Sequence, residues 1–354
     1  QDHAFDQGFQ KLNDSMHSVQ YGKEYVRHFR RLQANCLDWA GDNLLASAQG
    51  DDVFMIDMKG DVVRRWESDW YQMQTHPTDQ NIVACVEGNG GRFRICDVRS
   101  PAGSSEKPKY VQDVDLSKTW STMKEFLNIT WSPDGNHIAI NNQNEEIFLL
   151  DVRQAGDSAM RMSGYANFGT EAAVNVMAWS TGSQALLVGD SNGKITALEA
   201  PDLKRSSTAS VHAHIGSVSA LAVDGSGSCV ASASSDCLVC LWDPRHMVCL
   251  GTFGFATQCP QTMSFNHDCA LLAWGTGTTG SSGGEKNLTI VGSNTGVLYW
   301  QDTTSAPVYA VKFHRRKNIL AYALNAAQLP EDRDRRTSRE TAALHLLTLP
   351  DPLV

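Results

Sequence analysis

The chain has 354 residues, 42% hydrophobic and 19% charged, the balance of a folded chain with a sizeable core. Thirty Lys and Arg against 39 Asp and Glu leave a formal charge of −9. That balance argues against a protein that grips a phosphate backbone or an anionic membrane through its overall field, and no run approaches the roughly 18 apolar residues of a spanning helix.

In chain order, residues 1 to about 18 read as a tail, and the first patterned segment is the alternating Tyr25-Val26-Arg27-His28-Phe29. A unit then recurs: an apolar strand, a turn with Gly, Asp or Asn, a second strand, a turn, and a third strand ending on an acid. The first copy places strands at 36–39, 44–48 and 53–57, and the second starts at Tyr71 and continues through 82–86 and 92–97. The third spans 129–131, 137–140 and 147–151, the fourth 176–180, 185–188 and 194–199, and the fifth 218–223, 229–233 and 238–243. The sixth opens at Thr262 and the seventh at Tyr309.

Trp131, Trp179, Val223, Phe265 and Phe313 occupy equivalent points, spaced by 48, 44, 42 and 48 residues. That is close to the period of roughly 40–45 residues of a four-stranded propeller blade, and the short apolar runs exclude helical repeats. One blade cannot bury both faces alone, so blades stack in a ring. The expected fold is an all-β, seven-bladed β-propeller over residues 32–350. Residues 1–31 hold a tail and a proposed ring-closing strand, because the last copy is one strand short near 344–349 and the segment 25–29 lacks a partner.

The fifth copy carries His214, Ser232, Asp236 and the dipeptide Trp242-Asp243. These residues resemble the signature of WD-repeat propellers, in which such a set forms a structural hydrogen-bonded chain inside the blade. The physical need is that a buried carboxylate must find donors. From about Val174 onward the chain further resembles the THO complex subunit 3 branch of that family. The resemblance rests on His212–Asp236, Cys240-Leu241-Trp242-Asp243, Met263-Ser264-Phe265-Asn266-His267-Asp268, and the closing Pro307–His314 with Asn318–Ala323. It implies a nuclear, non-enzymatic scaffold held by a large THO subunit, in an assembly that couples transcription to mRNP packaging and mRNA export. Departures are the missing Gly-His and Trp-Asp landmarks in the first four copies, Arg315 after His314, and a Gly/Ser insertion from Thr276 to Gly284.

Other signals are weaker. No signal-peptide pattern opens the chain, and the missing initiator Met suggests a trimmed start. Nine cysteines among apolar neighbours read as reduced thiols, hence an intracellular protein. Cys237 and Cys240 have ligand spacing without a second pair, and residues 291–296 form a turn rather than a phosphate loop. No cofactor, metal or small-molecule substrate is expected. Three copies end in Asp-x-Arg at Arg99, Arg153 and Arg245, which either cover strand ends and pair with nearby acids or face a partner. The segment from Ala231 to Arg245 also resembles the WD-x-R box of substrate receptors of cullin-type ubiquitin ligases, the alternative function. Arg315, Arg316 and Lys317 join the first and second strands of the seventh copy, on the face of those three arginines, and complete a candidate partner-binding region for an acidic segment. The charged loop 328–341 and the Gly/Ser insertion are expected to be neighbours on one rim, the former as a solvated loop.

Overall fold

The structure, a computed structural model, describes residues 25–29, 32–48, 52–68, 70–87, 92–99, 109–115, 126–153, 161–256, 258–277, 286–325 and 342–349. These residues form seven antiparallel four-stranded sheets and no helix. Each sheet runs outward from an innermost strand. The innermost strands are Leu32–Ala40, Trp70–Thr75, Phe126–Trp131, Val174–Trp179, Val218–Val223, Pro260–Phe265 and Val308–Phe313. Each packs against the next, and Val308–Phe313 packs against Leu32–Ala40, so the ring closes.

Six blades use consecutive strands. Blade 7 joins both ends of the described chain, with Tyr25–Phe29 outside Ala342–Thr348, Ile319–Asn325 and Val308–Phe313. Tyr25 lies opposite Leu346 and Phe29 opposite Ala342. The backbone groups along one edge of Ala342–Thr348 thereby find partners in the first described strand of the chain. The tail before Tyr25, most of the Gly/Ser insertion and the loop 328–341 lie outside the described residues.

Burial follows position in the blade. Middle strands are flanked by neighbouring blades on both faces, and Leu271–Thr276 and Asn287–Gly292 are buried along their whole length. Outer strands alternate with solvent, as in Val62–Glu67. Their polar character is why pattern alone shows three strands per copy. The core is a set of seams rather than one centre: Trp39 and Ile56 pack with Ala310, Ala321 and Leu344 across blades 1 and 7, and Phe93 packs with Trp131 and Ile140 across blades 2 and 3.

Polar bonds lock the seams. Trp39, Trp131 and Trp179 donate their indole N–H groups to the carbonyls of Lys312, Gln74 and Thr130 in the preceding blade, at 3.2, 3.2 and 3.3 Å. Elsewhere a side chain accepts from the next blade's backbone: Gln74 Oε1 from Trp131 N–H at 2.6 Å, Thr262 Oγ1 from Val311 at 3.2 Å, and Ser264 Oγ from Phe313 at 3.1 Å. Innermost strands have no neighbour inside the ring, so adjacent blades satisfy their free edges.

Candidate functional site: a collar around one mouth

Blade 5 brings its four signature residues together. Trp242 Nε1–H donates to Ser232 Oγ at 2.8 Å, Ser232 Oγ lies 2.7 Å from His214 Nε2, and His214 Nδ1 lies 3.0 Å from Asp236 Oδ2. An indole only donates and a carboxylate only accepts, so the chain runs one way, with the imidazole proton on Nδ1. Asp236 also accepts the backbone N–H groups of Ile215 and Leu238, which ties the turn between middle strands to the segment entering the blade. His214 and Ser232 are buried, and the quartet holds the blade rather than presenting a reactive group.

The turns after the innermost strands meet around one mouth of the ring. Lys317 Nζ pairs with Asp42 at 2.9 Å from blade 7 to 1, His76 Nε2 lies 3.2 Å from Gly135 O from blade 2 to 3, and Asp134 N–H donates to Ser183 Oγ at 3.0 Å from blade 3 to 4. Gly225 N–H reaches Cys269 Sγ at 3.2 Å and Asn266 Nδ2 donates to Asn318 Oδ1 at 2.9 Å, from blade 5 to 6 and 6 to 7. Between blades 4 and 5, Gly227 adopts φ +72° against Thr181 Oγ1, where a Cβ would collide. Third strands end on the same face, since Val98 N–H donates to Asn81 O and Val152 N–H to Asn136 O, both in these turns.

The six candidate cations therefore share this collar, and their surroundings differ. Arg99 and Arg153 fold back on Asp97 and Asp151 at 2.8 and 2.7 Å. The Arg153 hydrogen bond outweighs burial and holds the Asp151 carboxyl at about 2. Arg245 does not fold back. His246 Nδ1 takes Asp243 Oδ2 at 2.8 Å, and Arg245 keeps a backbone hydrogen bond and a through-space charge attraction to that carboxylate, with no hydrogen bond from its guanidinium found among the described residues. Arg316 is exposed, and its backbone N–H donates to His314 Nδ1.

Arg315 has a role that the sequence reading missed. Its guanidinium crosses from blade 7 to blade 2, donating to the carbonyls of His76 and Pro77 at 3.0 Å and of Thr75 at 3.1 Å, and to Thr75 Oγ1. Thr75 N–H and Oγ1 in turn donate to Asp38 Oδ2 at 2.7 and 2.8 Å, and Lys312 Nζ stands 3.7 Å from the same carboxylate. Burial pushes Asp38 up, but Lys312, Arg315 and the Thr75 donors together hold its carboxyl below the usual range. Arg315 is thus a staple of the ring's closing sector more than a free surface cation. Nearby, burial lowers the His314 pKa against the opposing pull of Asp42, 3.3 Å from Nε2.

The central channel, about 730 Å³, is lined by polar side chains including Gln74, Asn128, Asn175 and Ser219. Several of these already serve the seams: Asn128 donates to Asn175 O, Asn175 to Val218 O, and Ser219 to Pro260 O. Cys237 lies in a turn at φ +64° and Cys240 in a strand with its sulfur on Thr252, so the pair does not converge. Burial pushes the Cys229 and Cys240 thiols up to about 11, too high to offer a thiolate at neutral pH. On the opposite mouth Ile215 is 97% exposed, a feature that no local sequence signal announces.

Comparison with known proteins agrees with this architecture. Residues 205–243 match the WD domain, G-beta repeat family, the segment that holds the blade 5 quartet. The β-propeller domain of Cps50 (Swd1) from Myceliophteria thermophila superposes with a TM-score of 0.69 over 92% of this chain and all of that one, at 12% identity, a likeness of fold alone. WD repeat-containing protein AAC3 of Dictyostelium discoideum is 28% identical over 180 residues, 49% of this chain and 36% of that protein. THO complex subunit 3 of Arabidopsis thaliana is 30% identical over 252 residues, 71% of this chain and 70% of that protein. With that identity spread over most of both chains, the chain belongs to the THO complex subunit 3 family, and its own blade 5 carries the WD repeat.

Proposed function

We propose that this chain is a non-enzymatic, nuclear scaffold subunit of a THO-type complex, in which it helps couple transcription to mRNP packaging and mRNA export. The observation that carries this reading is the extended similarity to THO complex subunit 3. The ring supports it by offering a rigid frame whose buried polar side chains serve the fold. The partner is a large THO subunit, and the exposed Arg245 and Arg316 of the collar, with Lys317 already paired to Asp42, suit an acidic segment of it. Arg99 and Arg153 contribute neutralised pairs at the periphery, and Arg315 shapes the surface from beneath. A net charge of −9 opposes strong RNA binding by the isolated chain. The test is affinity capture with the tagged chain from nuclear extract, followed by mass spectrometry. Recovery of THO subunits is expected. Recovery of a cullin-type ligase adaptor without them, or submicromolar and salt-sensitive RNA binding by the purified chain, would overturn the reading.

A further inference from the structure

The same place in the seven innermost strands is held by Trp39, Thr75, Trp131, Trp179, Val223, Phe265 and Phe313, each opposite the start of the second strand. Five of these are aromatic wedges that fill the seam with the preceding blade. At Thr75 the seam is occupied instead by Asp38 and Arg315. At Val223 no aromatic ring takes that place, and Trp242 and Met247 join Leu187 in the buried cluster of this seam without filling the space beside Val223. Between blades 4 and 5 a cavity of about 310 Å³ remains, lined by Leu187 and Ala197 on one side and by Val223, Val230 and Met247 on the other. Arg245 also lines it and is exposed.

This is the arginine whose guanidinium feels Asp243 only through space, because His246 takes the side-chain hydrogen bond. The same tripeptide is self-neutralised at Arg99 and Arg153. The one Asp-x-Arg cation among the described residues whose guanidinium does not hydrogen-bond its own carboxylate therefore stands beside the seam where valine takes the wedge position. Beyond Met247, Val248 and Leu250 are 56% and 62% exposed on the outer strand Val248–Phe253, so apolar surface continues away from the cavity.

We propose that this seam pocket docks an extended, acidic–apolar peptide segment of a partner protein. An apolar side chain of that segment enters the cavity beside Val223, and a neighbouring Asp or Glu pairs with Arg245. The proposal rests on reading the chain as a protein-binding scaffold, not on which complex it joins. Room for an apolar side chain selects against nucleic acid, and the guanidinium at the edge selects an acid over a basic or neutral neighbour.

The probe is an array of nine-residue peptides with a central Leu, Met or Phe and Asp or Glu within two positions, beside matched arrays carrying Asn in place of the acids. The whole chain is applied as wild type, Arg245→Glu, Val223→Trp and Arg65→Glu, the last on the outer strand of blade 1 away from the collar, and the best peptides are titrated by fluorescence anisotropy. The acidic peptides should bind, Arg245→Glu should weaken them by about tenfold, Val223→Trp should abolish binding, and Arg65→Glu should leave it unchanged. Should Val223→Trp fail to fold, Ala197→Leu fills the same cavity and the exposed Arg245→Glu still decides. Equal binding of the Asn peptides, undiminished affinity in Arg245→Glu, or no binding peptide at all overturns the proposal. Capture of THO subunits is scored separately. Peptide binding without such capture would remove the THO assignment while leaving the pocket in place.

Discussion

Two buried polar networks occupy different sectors of the ring, and they answer different problems. In blade 5, Trp242, Ser232 and His214 relay hydrogen bonds to Asp236, all four residues lying within a few strands of one another. At the closing sector, Asp38, Thr75, Lys312 and Arg315 come from blades 1, 2 and 7, and the network carries two cations. The blade 5 relay stiffens one repeat. The ionic one clamps blades 7, 1 and 2, beside the blade whose outer strand Tyr25–Phe29 is joined to Ala342–Thr348 by pairing and not by a chain link. The two ends of the described chain meet at the outer edge of blade 7, and on the inner side of that blade the fold adds charge to hydrophobic packing.

That contrast can be broken in order of effect. Deleting residues 1–31 removes the outer strand of blade 7 and its backbone bonds to Ala342–Thr348, which should cost on the order of 3–5 kcal/mol and cause aggregation through the exposed edge. Differential scanning fluorimetry and size-exclusion chromatography read both, and an unchanged melting curve would show that closure does not need the strand. Asp38→Ala should cost about 2–4 kcal/mol, since it strands Lys312 and the Thr75 donors while Arg315 keeps its carbonyl partners. Asp236→Ala should cost about 1–3 kcal/mol by leaving the His214 donor without its acceptor, and partner capture should fall only as far as stability does. Loss of capture at an unchanged melting temperature would make Asp236 a contact instead. Arg99→Ala breaks an exposed pair and should leave the melting temperature unmoved, whereas Arg153→Ala takes the partner from the buried Asp151 carboxylate and should lower it slightly.

Acid sharpens the same comparison. Asp38 has a depressed pKa in the fold, so its contribution is complete above the ordinary aspartate value of 3.8 and is lost as the pH falls through its own lower value. The stability gap between wild type and Asp38→Asn should therefore be flat near neutrality and narrow below about pH 3.8. His314 is also depressed, by burial, and favours the fold when neutral. Its contribution begins to fall as the pH drops below 6.5, so the closing sector should soften in acid first at His314. Hydrogen exchange of the Val308–Phe313 amides across that range, with and without His314→Gln, checks the order of events.

The repeat made the blades legible, and the landmark residues of blade 5 made its internal relay legible, because those contacts lie within one unit. The pairing of residues 25–29 with the final strand could be read from a missing strand and a spare one. The seams could not. Thr262 bonds to Val311 and Ser264 to Phe313 across 49 residues, about one repeat, and nothing local marks those hydroxyls. The reach of Arg315 to His76, 239 residues away, is further from any local pattern, and a cluster of three basic residues looks like surface until the blade arrangement is known. Aligning the seven copies column by column shows the wedge position, and there Val223 and Thr75 stand out by size alone.

The joining of Tyr25–Phe29 to Ala342–Thr348 also sets a clock on biosynthesis. The first strand leaves the ribosome long before its partner is made. At roughly 5–20 residues per second the nascent chain waits about 15–60 s with an unclosed ring, the edges of its first and latest blades uncovered. Any translation product that stops short of residue 342 lacks the strand that receives Tyr25–Phe29 and cannot complete blade 7. Closure therefore acts as a check of completeness, since a surface that depends on the finished ring becomes available to its partners only once the last strand has been read.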